Sequence, residues 1–152
     1  MSLGYAATTN VTITLASLAT AGSRESVGID NTTNKYDDYM IQLTLGVVTP
    51  TTAGDKSIYI WFAGSADGTA YTEPATGADA AITIGTNHNL RGPFTVAVNV
   101  GTLNQDICIP SVAQFFSGLI PKKWNMIVEN QTNGALSGTE FTKYLTGVFV
   151  TT

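Results

Sequence analysis

Apolar residues recur at every second position along most of this chain. Tyr39, Ile41, Leu43, Leu45 and Val47 interleave with Met40, Gln42, Thr44 and Gly46. Ile58, Ile60 and Phe62 interleave with Tyr59 and Trp61. Phe94, Val96, Val98 and Val100 form a third such series, and Trp124, Met126 and Val128 a fourth. Tyr144, Val148 and Val150 alternate with Leu145, Gly147 and Phe149. A period of two places alternate side chains on opposite faces, as a strand does. Shorter candidates lie at residues 11–15, 26–29, 81–84 and 106–109. Gly, Pro, Asn or Asp clusters bound each run, as they bound strands generally. The pattern predicts about eight or nine strands.

Helical spacing appears once, at residues 111–119. Val112, Phe115, Phe116 and Leu119 would share one face there, and Pro110 and Pro121 bracket the segment. No longer helical run exists to cross between parallel strands, so the strands are expected to be antiparallel. The expectation is an all-β chain: a single antiparallel β-sandwich, jelly-roll-like, with at most one short helical turn near 111–119. One domain spans residues 1–152, with residues 1–9 as an N-terminal arm. Residues 64–92 are the least regular stretch. Asp67-Gly68, Pro74 and Gly77 interrupt any strand there, and long surface loops are expected, where partner contacts commonly lie.

Two stretches resemble each other. Residues 29–34 read IDNTTN and residues 128–133 read VENQTN. Asn, Asp and Thr side chains bond nearby backbone in turns, so such a run terminates a strand well. The competing reading is a pair of cation sites. Calcium takes about six to eight oxygens, and each stretch offers a single carboxylate. Structural turns are the better reading.

The chain has 152 residues, of which 43% are hydrophobic and only 12% charged. A charged share near half the usual one leaves solubility to Thr, Asn, Ser and Gly, residues common at the surface of β-proteins. The net charge of −4 argues against nucleic-acid binding, which needs a basic patch. Lys122 and Lys123 are the only adjacent basic pair and read as a solvated strand edge. No polybasic segment suits an anionic membrane, and no run reaches the length of a membrane span. The first residues lack the positive start of a signal peptide, so synthesis in the cytoplasm without an export signal is expected. Three N-x-T triplets, at Asn10, Asn31 and Asn130, read as chance in a chain this rich in Asn and Thr.

Candidate chemistry is sparse. His88, the one histidine, lies in a loop without a nucleophile in its sequence context and reads as solvated. Cys108, the one cysteine, excludes an internal disulfide and reads as a small buried hydrophobe between Ile107 and Ile109. Asp37 and Asp38 point to opposite faces of a strand and make a poor acid/base pair. No catalytic, cofactor-binding or metal-ligating set is assigned, and no enzyme activity is expected. Trp61, Tyr71 and Trp124 are the aromatics that could stack on a sugar, weighed against burial of both faces of a central strand.

The order of features resembles small β-sandwich virion proteins of tailed bacteriophages. The residues carrying the resemblance are VGIDNTTNKYDDYMIQLTLG, an aromatic strand leading into GSADGTAYTE, and a late W-x-M-x-V-E-N-x-T-N-G strand and turn. The resemblance covers most of the chain and brings no catalytic residue with it. It implies a capsid decoration (cement) protein on the outer surface of the virion. Such a protein binds the major capsid protein and copies of itself, often as a homotrimer, and needs no cofactor. The N-terminal arm would add to a neighbour's strand edge. Tyr5, Trp61, Tyr71 and Trp124 are the candidates for partner contact. The alternatives are a tail, collar or fibre component of the virion, or a carbohydrate-binding module, contacting host glycans.

Overall fold

The computed structural model describes residues 2–46, 57–98, 104–139 and 142–151. The strands are β1 (Ser2–Tyr5), β2 (Thr9–Asn10), β3 (Ser23–Glu25), β4 (Ile29–Asp30), β5 (Asp38–Gly46), β6 (Ser57–Ser65), β7 (Ala80–Ala81), β8 (Arg91–Ala97), β9 (Asn104–Ile109), β10 (Lys123–Asn130) and β11 (Lys143–Thr151). One 3-10 turn, Ala113–Phe116, lies between β9 and β10. Val47, residues 99–100 and the stretch 51–56 fall outside the described residues, so the upper ends of two expected strands do too.

All pairings are antiparallel, and they build two sheets. The first runs β1-β11-β5-β9, with β2 also on β11. The second runs β7-β3-β10-β6-β8, with β4 also on β10. β1 and β2 are one strand interrupted along β11, and β3 and β4 are one strand interrupted along β10. Counted so, and with β7 as an addition to an edge, the first sheet orders its strands first, eighth, third, sixth. The second orders them second, seventh, fourth, fifth. This is the jelly-roll arrangement, in which successive strands alternate between the sheets except for β6 and β8, which neighbour each other in the second.

The core lies between the sheets and is made by the predicted periodicity. Ile41, Leu43 and Leu45 enter it from β5, Ile58, Ile60 and Phe62 from β6, and Trp124, Met126 and Val128 from β10. Aromatic rings lock its centre: Trp124 lies 5.1 Å from Tyr39 and 6.0 Å from Phe62, centroid to centroid. Both pairs are tilted, a geometry aromatic rings favour over face-to-face stacking.

Several expectations change. Residues 11–15 alternate as predicted, with Val11, Ile13 and Leu15 buried, but they form no strand. They cross between the sheets: Val11 N–H donates to Lys143 O, while Thr12 O accepts from Val27 N–H in the other sheet. Alternation there reports burial, not pairing. The expected strand at 81–84 is shortened to Ala80–Ala81. The arm at residues 1–9 is no free arm: Ser2–Tyr5 pairs with β11 of the same chain. Cys108 is exposed, contrary to the burial expected of it. Ile107 and Ile109 on either side face the core, so a strand must turn Cys108 outward. Leu119 leaves the helical face expected of it, because the turn ends at Ser117 in a left-handed conformation (φ 59°). The side chain stands 79% exposed.

Candidate interaction surface

The two outer faces of the sandwich differ. On the second sheet, the segment between β6 and β8 folds back across the strands. Ala63 and Ile127 are buried beneath it together with the segment's own Leu90, and Trp61, Tyr71, Ala75, Ile82 and Ile84 pack around them. β10 is therefore buried on both sides, which is why its sequence, KWNMIVEN, lacks a clean polar face. The long loops expected at 64–92 are thus largely a lid over their own sheet.

Glu25 holds that lid. Its side chain sits on β3 with the residue only 1% exposed. The carboxylate accepts from the N–H groups of Thr76 and Gly77 at 2.8 and 3.0 Å, and from Asn125 Nδ2 at 2.8 Å. A buried acid needs such donors to offset its lost hydration. Gly77 takes φ +77°, and a side chain there would collide with the Tyr71 ring, so glycine is required on both counts. A second tie lies at the edge of the lid, where Asp79 accepts from Arg24 Nε and from Thr14 N–H and Oγ1. Burial pushes the Asp79 carboxyl up, but the bonds from Arg24 and Thr14 outweigh it and hold it below the ordinary value.

The repeated stretches are turns. Asp30 Oδ1 accepts from the N–H and hydroxyl of Thr32, and Asn130 Oδ1 accepts from the same groups of Thr132. The matched Asn residues are buried braces. Asn31 bonds Tyr36 N–H, Tyr36 O and the Tyr39 hydroxyl, while Asn130 Nδ2 donates to Leu18, Ala19 and Gly134 carbonyls. The two stretches share this logic in shifted register, since the residue capping the Thr is the acid in one and the Asn in the other. Asp37 and Asp38 also serve backbone groups, Asp37 at Val150 N–H and Asp38 at Tyr39 and Ala113 N–H.

The outer face of the first sheet is different in kind. Tyr144 and Val150 project from β11, Leu3 and Tyr5 from β1, and all four are exposed large apolar side chains. Leu145, Gly147 and Phe149 take the inward positions, so the series Tyr144, Val148, Val150 is the outer one. Thr8, Met40, Gln42, Cys108 and Tyr144 line a shallow trough of about 500 Å³ on this face, with no charged residue in its lining. Leu119 forms a separate apolar point beside Ile120 and Pro121.

The candidates for partner contact therefore separate. Tyr5 is 60% exposed on the first sheet's outer face. Trp124 is 0% exposed in the core and is withdrawn as a contact residue, because its place on β10 faces the opposite sheet. Tyr71 lies in the lid and Trp61 on β6 beneath it, both half-buried in the apolar layer between. Trp61 spends its indole N–H on Glu129 Oε2 at 2.8 Å, and His88 stands edge-on to its ring at 4.7 Å. His88 is thus half-buried against Trp61 instead of freely solvated, and its Nδ1 accepts from Leu90 N–H. Sequence reasoning missed Leu3, Tyr144 and Val150. Apolar residues on both faces of β11 carried the signal, which alternation alone cannot orient. Among the described residues, no group of three or more His, Cys, Asp or Glu is placed to hold a metal ion. No family model matches the chain, and no curated protein or solved structure matches it.

Proposed function

We propose that the chain is a non-enzymatic structural protein of a tailed-bacteriophage virion, a decoration protein that binds the outside of the capsid shell and stabilises it. The observation that supports this reading is the contrast between the two outer faces. One is covered by the chain's own lid, and the other presents exposed Leu3, Tyr5, Tyr144 and Val150, with Tyr144 also lining an uncharged trough. Exposed apolar patches rimmed by polar residues mark protein contacts. The paired strands hold those side chains in a fixed array, and repeated weak contacts around a shell add through multivalency. The resemblance to phage virion β-sandwiches supplies the partner, the major capsid protein.

The test is to add the purified chain to particles lacking it, then count bound copies and measure the temperature at which the shell opens. Binding across the whole shell with a raised opening temperature supports the reading. Binding limited to a single vertex or to the tail favours a collar, tail or fibre role. For the glycan alternative, Trp61 is the aromatic to examine, and its indole N–H is already engaged by Glu129.

A further inference from the structure

β1 is an edge strand whose free side can be identified from the bonds of its neighbours. Ala6 N–H donates to Gly147 O, in register with the pairs Gly4↔Phe149 and Ser2↔Thr151. On β11, Val148 O and Val150 N–H are turned the other way, toward Asp37. Antiparallel strands alternate the direction of their main-chain groups. The N–H and C=O of Leu3 and Tyr5 therefore point away from the sheet.

Two other edges carry protection that β1 lacks. β8 holds Arg91 and Pro93, and β9 holds Asp106. Charge and proline on an edge are the usual guards against strand addition. β1 reads SLGY, with neither, and Leu3 is 64% exposed and Tyr5 60%.

We infer that β1 pairs with β1 of a second copy of this chain, antiparallel about a two-fold axis at Gly4. In that register Leu3 lies opposite Tyr5 of the second copy, and Tyr5 opposite its Leu3. These are the residues whose N–H and C=O point outward, so each pair exchanges both bonds. Their side chains meet on the outer face, continuing the apolar surface with no like charges opposed. Gly4 faces Gly4 on the inner side, where a Cβ would collide with the Phe149 ring. Closed two-fold pairing of identical surfaces is the commonest symmetry of self-association. It replaces, for the free protein, the three-fold grouping that the phage resemblance implies.

Light scattering and sedimentation equilibrium of the purified chain test this without any capsid. The expected mass is twice the 16.0 kDa of one chain. Leu3→Lys with Tyr5→Lys places like charges opposite each other and weakens association by more than about tenfold. Leu3→Lys with Tyr5→Glu places opposite charges in the same pairs and restores the dimer. Leu3→Pro, which removes an outward N–H and no bond to β11, also gives monomer. Thermal melts confirm that each variant is folded. A wild-type monomer or trimer, or a Lys/Lys variant still dimeric, overturns the inference. Loss of the dimer in the Lys/Glu variant overturns the register.

Discussion

Asn125 and Glu25 stand a hundred positions apart in the chain, and Asn125 Nδ2 donates to Glu25 Oε2 at 2.8 Å in the layer beneath the lid. The bond joins neighbouring strands β10 and β3, and the same carboxylate reaches up to Thr76 and Gly77. Glu25→Ala leaves those buried donors without an acceptor. A loss of about 3 kcal/mol is expected, the cost of several unsatisfied groups. Urea unfolding measures it, and limited proteolysis should begin within residues 66–79.

Asn130 and Asn31 each brace a turn through bonds to backbone. Asn130→Ala frees Thr132 and several carbonyls in a fully buried setting and should cost about 2 kcal/mol. Thr32→Ala, at an exposed turn, should cost less than about 1 kcal/mol. Equal losses for the two would contradict the assigned roles. Asp30 and Glu129 would also be expected to leave calcium without effect on the thermal midpoint.

Trp124 fills the centre of the core, yet its indole N–H has no hydrogen-bond partner among the described residues. Trp124→Ala removes the packing and should cost about 4 kcal/mol. Trp124→Phe keeps much of the ring and relieves the unpaired donor, so a cost under about 2 kcal/mol is expected. Chemical unfolding of both variants checks the ratio.

Stability should fall in acid. Asp79 is held below its ordinary value of 3.8 in the folded chain. A depressed carboxyl contributes stability above its unfolded value and loses it as pH falls through the folded one. Asp67, bonded by Thr69 and Ala70 N–H, and Asp30, bonded by Thr32, are depressed too and act in the same direction. The thermal midpoint is expected to drop between about pH 5 and pH 3, and Asp79→Asn should flatten part of that slope.

The long strands β5, β6, β9 and β10 were legible because each has at least one face in a single core and its apolar residues repeat every second position. The 3-10 turn was legible from its bracketing prolines. The lid was not. Its cover over β6 and β10 depends on contacts such as Glu25 with Thr76, and no local pattern encodes a pairing over fifty residues. Trp61 and Trp124 look alike in sequence, one position type on each of two neighbouring strands. Only the presence of the opposite sheet on one side and the lid on the other separates them. Cys108 was the reverse case: the outward position was written in Ile107 and Ile109, and the usual burial of cysteine misled.

The central claim is that the outer face of the first sheet, with its uncharged trough, seats the chain on a capsid shell. The most direct measurement compares wild type with Tyr144→Lys/Gln42→Glu on particles lacking the protein, counting bound copies by quantitative gel and recording the shell's opening temperature. Wild type should bind over the whole shell and raise that temperature. The variant should bind at least about tenfold more weakly while melting like wild type on its own. Equal binding of both proteins, or no binding of wild type, would contradict the account.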